Sequence, residues 1–248
     1  MDPAGQLCYT DAYLRSVEAR VIAVDDGGDA PIVVLDRTVF YPGGGGQPSD
    51  RGTILRSADG RSWTIRGARK SGGDIVHELE PGDGGRPEVG DVVSADLDWA
   101  RRLTLMRTHT ALHVLCGVIW NEWGVPVTGG NMEPLSARMD FEFDPLPEGF
   151  GARVEELVNV ELAADRPIAV AFLPRGVAVE DEDLIRTKVS LVPEGVSEVR
   201  IVDIVGLDTQ ADGGTHVRST DEVGRIRVLK TESKGKGNKR IRVEVVDG

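Results

Sequence analysis

The sequence predicts an α+β protein, with a small β-barrel domain (residues 1–97) followed by a domain that mixes helices and strands (residues 98–248). Two observations support this fold class. Between residues 16 and 97, short runs rich in β-branched residues alternate with Gly and Asp, which is typical of small barrels. At Asp98 the pattern changes to a long helical segment, after which strands and helices alternate. The chain is long enough to bury two separate cores.

The first domain is predicted to contain six short strands and one glycine-rich loop. The strands are expected at residues 19–24, 32–35, 52–55, 62–65, 74–79 and 91–97. Residues 40–52 are too dense in glycine for a strand, but proline on either side limits their flexibility. Because glycine lets backbone approach a ligand closely, we expect a binding loop here, with a flexible loop as the alternative.

The second domain is predicted to begin with its longest helix. Asp98 can cap a helix that runs to about Trp123 and buries Leu105, Leu112, Leu115 and Ile119. The sequence then predicts a glycine turn at Gly129 and Gly130, strands at 137–143, 168–173 and 198–205, helices at 151–164 and 182–187, and a hairpin of 224–232 and 239–246.

Composition limits the possible function classes. The net charge of −12 argues against general affinity for nucleic acid, yet four of the six lysines fall in the last twenty residues. That cluster is expected to be either a solvated hairpin or an edge that contacts phosphates. Two cysteines, Cys8 and Cys116, do not indicate a structural disulfide. No basic, apolar leader or long apolar run is present, which predicts a cytoplasmic protein with no membrane contact.

The histidines give the sharpest functional signal. Three of the four lie in two short patterns, one with His109 and His113 and one with Asp212 and His216. Helical residues four apart share a face, so His109 and His113 can reach one ion. Three imidazoles and a carboxylate suit one four-coordinate zinc ion per chain. His77 has no partner at such a spacing and is expected to be a half-buried strand residue.

Five motifs, in this order, resemble the editing domain of alanyl-tRNA synthetase and its free-standing AlaX relatives. They are Phe-Tyr-Pro-Gly-Gly-Gly-Gly-Gln-Pro-Ser-Asp-Arg-Gly (40–52), His-Thr-Ala-Leu-His (109–113), Ala-Arg-Met-Asp-Phe (137–141), Asp-Gly-Gly-Thr-His-Val (212–217) and Lys-Gly-Lys-Gly-Asn-Lys-Arg-Ile-Arg-Val (234–243). The resemblance covers nearly the whole chain. It implies a β-barrel joined to an α+β editing domain that binds zinc and hydrolyses the ester between a wrong amino acid and its tRNA, most often Ser or Gly on the alanine tRNA.

The resemblance also suggests roles for individual residues. Backbone amides at Gly213 and Gly214 are candidates for oxyanion stabilisation, and Thr215 is expected either to contact the substrate or to tie down its own turn. The candidate substrate-binding residues are Gly44, Gly45, Gln47, Arg138 and Asp140. The candidate tRNA-binding residues are Lys234, Lys236, Lys239 and Arg240.

One position departs from the family pattern, which usually has Cys where this chain has Asp212. Three interpretations are open: Asp212 binds the metal through oxygen, a three-histidine site leaves a position for water, or the metal has been lost. Cys116, three residues after His113, is a further candidate ligand or a core residue.

Three other functions also remain open. The substrate could be a tRNA charged with threonine or a threonine analogue. The chain could instead be a non-catalytic tRNA-binding module, or a hydrolase of a free small molecule. The sequence indicates no oligomeric state.

Overall fold

The computed structural model describes residues 5–25, 30–82, 85–178, 180, 184, 196–235 and 237–248. The chain divides into two compact units. The first contains residues 1–44 and 48–103, and the second contains residues 45–47 and 104–248. The glycine-rich segment therefore contributes three residues, Gly45–Gln47, to the second unit.

The first unit is a closed, six-stranded antiparallel barrel. Its strands are β1 (Ser16–Asp25), β2 (Ile32–Leu35), β3 (Gly52–Arg56), β4 (Ser62–Ser71), β5 (Asp74–Leu79) and β6 (Val92–Leu97), in the order β1-β2-β5-β4-β3-β6. Pairing of β1 with β6 closes the barrel. Alternate residues point inward and form an apolar core that includes Val21, Leu35, Ile54, Ile65 and Ile75. The predicted barrel is confirmed.

A buried ion pair fixes the glycine-rich segment within the first unit. The guanidinium of Arg102, which is fully buried, donates hydrogen bonds to both carboxylate oxygens of Asp50 and to the carbonyls of Ala12 and Val39. The N–H of Tyr41 also donates to Asp50. These bonds satisfy both buried charges, without which burial would be costly.

The second unit contains most of the helix α1 (Trp99–Trp123) together with two antiparallel sheets. Its other elements are β7 (Val127–Glu133), β8 (Ser136–Glu142), α2 (Phe150–Leu162), β9 (Ile168–Pro174), α3 (Arg175–Ala178), β10 (Glu198–Ile204), β11 (Asp208–Ala211), β12 (Arg225–Ser233) and β13 (Asn238–Val246). One sheet has the order β12-β13-β8-β7, and the other has the order β11-β10-β9. The α+β class is confirmed.

Helix α1 begins where its predicted cap is found. The N–H of Arg101 donates to Asp98 Oδ1 over 3.0 Å, so the carboxylate satisfies an N-terminal amide. The four leucine and isoleucine residues predicted to face the core are buried. His109 and His113, on the same helix, are buried as well.

The prediction of a turn at Gly129 and Gly130 is wrong. Both residues lie in β7 and pair with β8, with a bulge between Val127 and Gly129. A Cβ on Gly129 or Gly130 would meet only ordinary contacts, at 3.7 Å from Asp140 Oδ2 and 3.8 Å from the Arg138 carbonyl oxygen. The close approach is made by Gly46, whose Cβ would lie 3.4 Å from the carbonyl oxygen of Gly130. The backbone of β7 also binds the glycine-rich segment directly, because the Met132 N–H donates to the carbonyl oxygen of Gly46 over 3.2 Å.

The helix expected at 182–187 falls, apart from Leu184, outside the described residues. In the described part of the chain, no helix has the length and apolar character that a membrane crossing requires.

Candidate metal centre

The structure brings His109, His113, Asp212 and His216 together in the second unit. All four predicted residues offer ligand atoms that lie within 4.8 Å of one another. His109 and His113 lie one turn apart on α1, as their spacing predicted. Asp212 follows β11 directly, and its N–H donates to the carbonyl of Arg200 over 3.1 Å, extending the sheet into the loop that carries His216.

The Nε2 atoms of all three histidines point at the Asp212 carboxylate. His109 Nε2 lies 3.6 Å and His113 Nε2 3.8 Å from Asp212 Oδ1, while His216 Nε2 lies 3.0 Å from Oδ2. Ligand atoms about 2.0–2.1 Å from a tetrahedral zinc ion lie about 3.3 Å from each other. The three separations are near that value, and one ligand atom from each of the four residues lies within 4.8 Å of the others, so the group could hold a metal ion.

The opposite nitrogens of two imidazoles have their own partners. His109 Nδ1 lies 3.0 Å from Gln47 Oε1, which can only accept, so this nitrogen carries the proton. His216 Nδ1 lies 3.2 Å from the hydroxyl of Thr110, which also accepts from the Val217 N–H. Such outer contacts fix the tautomer and leave the Nε2 lone pair of His109 directed into the cluster.

Burial keeps His109 and His216 neutral. The three histidine rings of the cluster are packed with centroids 4.4 to 4.9 Å apart. Loss of hydration lowers the pKa of His216 to about 4 and the pKa of His109 well below its ordinary value. Burial opposes ionisation of Asp212, but the neighbouring imidazoles outweigh it and hold the pKa of that carboxyl well below its usual range. His109, His216 and Asp212 are therefore in the protonation states that bind cations.

Gly214 makes the close packing around His109 possible. A Cβ at this position would overlap the imidazole ring of His109 and would lie 2.8 Å from Gln47 Oε1. Its N–H donates to Asp212 Oδ2 over 2.6 Å. Gly213, in contrast, is exposed, and a Cβ there would meet nothing within 4 Å.

Gln47 joins the glycine-rich segment to the metal cluster. Its side chain is 2% exposed. Its Oε1 accepts from the Thr215 N–H over 3.0 Å, and its Nε2 donates to the Thr215 hydroxyl over 2.8 Å. The hydroxyl of Thr215, predicted to contact substrate or its own turn, thus binds a residue 168 positions away in sequence.

The remaining predicted residues lie on the four-stranded sheet or in the exposed part of the glycine-rich segment. The Arg240 guanidinium donates two 2.7 Å hydrogen bonds to Asp140 and holds the pKa of that carboxyl below its usual value. Arg138 donates to the same carboxylate over 3.2 Å. Gly44 and Gly45 are exposed.

The predicted lysines are only partly described. Lys239 donates to Ser233 Oγ over 3.2 Å, and Lys234 lies 3.7 Å from Glu232. Lys236 falls outside the described residues.

Sequence reasoning missed two buried residues that support the site. Thr110 gives no signal in a helical pattern, and Arg200 sits in an ordinary strand pattern, although it is only 8% exposed beside Asp212. Cys116 is buried and is not a member of the four-residue cluster. His77 is on β5 as expected, but it is fully buried rather than half-buried.

Comparison with known proteins identifies the family to which this chain belongs. Residues 199–242 match the model for the threonyl and alanyl tRNA synthetase second additional domain, and residues 12–101 match that for class II (A) tRNA synthetases. The alanyl-tRNA editing protein AlaX-M of Methanosarcina barkeri is 37% identical, with 97% of this chain and 98% of that protein aligned. This chain belongs to the AlaX-M family of alanyl-tRNA editing proteins.

Two other relatives mark the extent of the family likeness. The AlaX-M protein of Saccharolobus solfataricus is 34% identical over 95% of this chain and 96% of its own length. The alanine–tRNA ligase of Pyrobaculum neutrophilum is 38% identical over 92% of this chain, but the match spans only 25% of the ligase. This chain thus aligns with a quarter of that ligase and with nearly the full length of the free-standing editing proteins.

Proposed function

We propose that this protein is a zinc-dependent aminoacyl-tRNA deacylase that hydrolyses mischarged tRNA, with Ser-tRNA(Ala) as the principal substrate and Gly-tRNA(Ala) as the second. The observation that carries the proposal is the convergence of three Nε2 atoms on one carboxylate in a chain of the AlaX-M family. Alanyl-tRNA editing, as named in the relatives, supports an ester hydrolase acting on tRNA. Ester hydrolysis requires no ATP, and we infer a cytoplasmic location from the use of charged tRNA.

Zinc is the metal that this donor set favours. Three buried imidazoles and one partly buried carboxylate match its preference for nitrogen and oxygen ligands in a tetrahedral arrangement. One ion per chain would be held by His109, His113, His216 and Asp212. When bound, zinc would supply a Lewis acid that lowers the pKa of water and polarises a carbonyl.

The residues around the cluster orient the reacting groups. Gln47 holds the tautomer of His109, Thr110 contacts Nδ1 of His216, and Gly214 holds Asp212 through its N–H. Since that N–H is already used, we propose that the exposed Gly213 amide stabilises the developing oxyanion. Thr215 is fully buried and acts in this scheme by positioning Gln47.

A buried hydroxyl supports serine as the amino acid removed. Thr128 Oγ1 is among the buried side-chain atoms of the described residues that have no hydrogen-bond partner. Leaving such a group unpaired costs about 1–3 kcal/mol, which a substrate hydroxyl can recover. Thr128 is in β7, two residues before Gly130, whose backbone flanks Gly46 beside Gln47. Threonine and its analogues also carry a hydroxyl and remain the alternative substrates.

The tRNA itself is proposed to contact the β12–β13 hairpin and its neighbour β8. Lys234 and Lys239 supply positive charge there, while Arg240 is neutralised by Asp140. Lys236, which lies outside the described residues, belongs to the same proposed set. Arg138 and Asp140, with Gly44 and Gly45, are the proposed contacts to the aminoacyl end.

Deacylation assays with charged tRNAs test this proposal. Purified protein should release Ser from Ser-tRNA(Ala), spare Ala-tRNA(Ala), and lose activity when zinc is chelated. A Thr128→Val variant, which removes the hydroxyl at nearly constant volume, should lose preference for Ser over Gly by about 10-fold or more. Binding of tRNA without turnover on any charged tRNA would contradict the deacylase and favour a binding module, and turnover limited to small esters would favour a free-substrate hydrolase.

A further inference from the structure

The least expected residue beside the metal cluster is Arg200, which lies on β10 opposite Asp212. It is 8% exposed, and its NH1 group donates to the backbone carbonyl of Asp212 over 3.1 Å. The same nitrogen lies 3.8 Å from Asp212 Oδ2. In return, the carbonyl of Arg200 accepts the Asp212 N–H over 3.1 Å. Arg200 therefore contacts three groups of Asp212: the backbone N–H, the backbone carbonyl and the side-chain carboxylate.

The two oxygens of the Asp212 carboxylate have different surroundings. Oδ2 accepts the Gly214 N–H over 2.6 Å and faces both His216 and the Arg200 guanidinium. Oδ1 faces the Nε2 atoms of His109 and His113. Donors on the Oδ2 side restrict rotation of the carboxylate and leave Oδ1 aimed at the centre of the cluster.

We propose that Arg200 is the positioning residue for the fourth metal ligand: it donates to the backbone carbonyl of Asp212 and faces Oδ2, and together with the Gly214 N–H it fixes the carboxylate that would bind the metal. This inference rests on the proposed metal site, but it requires no particular tRNA substrate.

Metal affinity measured by competition with a chromophoric chelator tests the inference. Arg200→Met should weaken zinc binding by about 10- to 100-fold, and Arg200→Lys, which keeps the charge without the planar fork, by a smaller factor. Visible absorption of the cobalt-substituted protein should change in shape, because the carboxylate is freed to rotate. Arg107→Met is the matched control, since Arg107 also binds backbone carbonyls in the second unit but does not contact the cluster.

A double-mutant cycle with Asp212→Ala separates positioning from general support. If Arg200 acts through the carboxylate, Arg200→Met should change zinc affinity by less than about two-fold in the Asp212→Ala background. A full loss in that background, or wild-type affinity and cobalt spectrum in both Arg200 variants, would overturn the inference. If Arg200→Met does not fold, Arg200→Lys decides by the same criteria. Absence of deacylase activity in the wild type would contradict the proposed function and leave these affinities interpretable.

Discussion

The two units of this protein each bury histidine, but they use it in opposite ways. In the barrel, His77 has both ring nitrogens occupied, one 2.8 Å from the Thr38 hydroxyl and the other 3.2 Å from the Val33 carbonyl. In the second unit, His109, His113 and His216 direct Nε2 at one carboxylate. Burial lowers the pKa of His77 and of His216 to about 4 alike. Burial and pKa therefore do not distinguish the core histidine from the candidate metal ligands. The group that Nε2 faces does: a hydroxyl for His77, and the Asp212 carboxylate for the other three.

The largest expected effect comes from the two adjacent glycines of the Asp212 loop. Gly214→Ala places a methyl group inside the His109 ring and should weaken zinc binding by about 100-fold or more. Gly213→Ala meets no neighbouring atom and should keep full zinc content. Metal analysis of both purified variants checks this. Equal zinc in the two proteins would mean that His109 is not a ligand.

Asp212→Asn tests the carboxylate of the cluster. The amide loses the negative charge and must turn an NH₂ group either toward the metal or toward the donors at Gly214 and Arg200. We expect zinc affinity to fall by about 10- to 100-fold, as judged by chelator competition. Unchanged affinity would support a site made of three histidines alone.

The barrel histidine should influence stability rather than metal binding. Its folded-state pKa of about 4 lies below its ordinary value, so the unfolded chain takes up a proton first as the pH falls. Stability is complete above the unfolded pKa of about 6.5 and is lost as the pH falls toward 4, by on the order of 3 kcal/mol in total. Urea unfolding at pH 7 and pH 5 should show a shallower pH dependence for His77→Asn than for wild type. Identical slopes would refute the neutral, buried assignment.

The smallest effect concerns the lysines of the β12–β13 hairpin. Lys239→Ala should weaken tRNA binding and reduce the slope of log affinity against log salt by roughly 0.7–0.9, the value for one lost phosphate contact. Lys70→Ala, an exposed lysine of the barrel, serves as the control and should leave the slope unchanged. Filter binding across a salt series measures both. Equal slopes for all three proteins would remove the hairpin from the proposed tRNA surface.

Local patterns explain why much of the fold was predictable. The Asp98 cap and the apolar periodicity of α1 depend on neighbours in sequence, and the four-residue spacing of His109 and His113 follows from the same helix. Long-range partners carry no such signal. The bond from Gln47 to His109 spans 62 positions, and Gly46 approaches the backbone of Gly130 from a distant part of the sequence. Arg200 looks like any strand residue until the fold brings it to Asp212.

Zinc content of a matched histidine pair tests the central claim most directly. His113→Gln and His77→Gln each remove one buried imidazole, the first from the cluster and the second from the barrel core. Elemental analysis should find about one zinc per chain in wild type and in His77→Gln, and little or none in His113→Gln. Full zinc in His113→Gln, or its loss from His77→Gln alone, would contradict the assignment of the second unit as the metal centre.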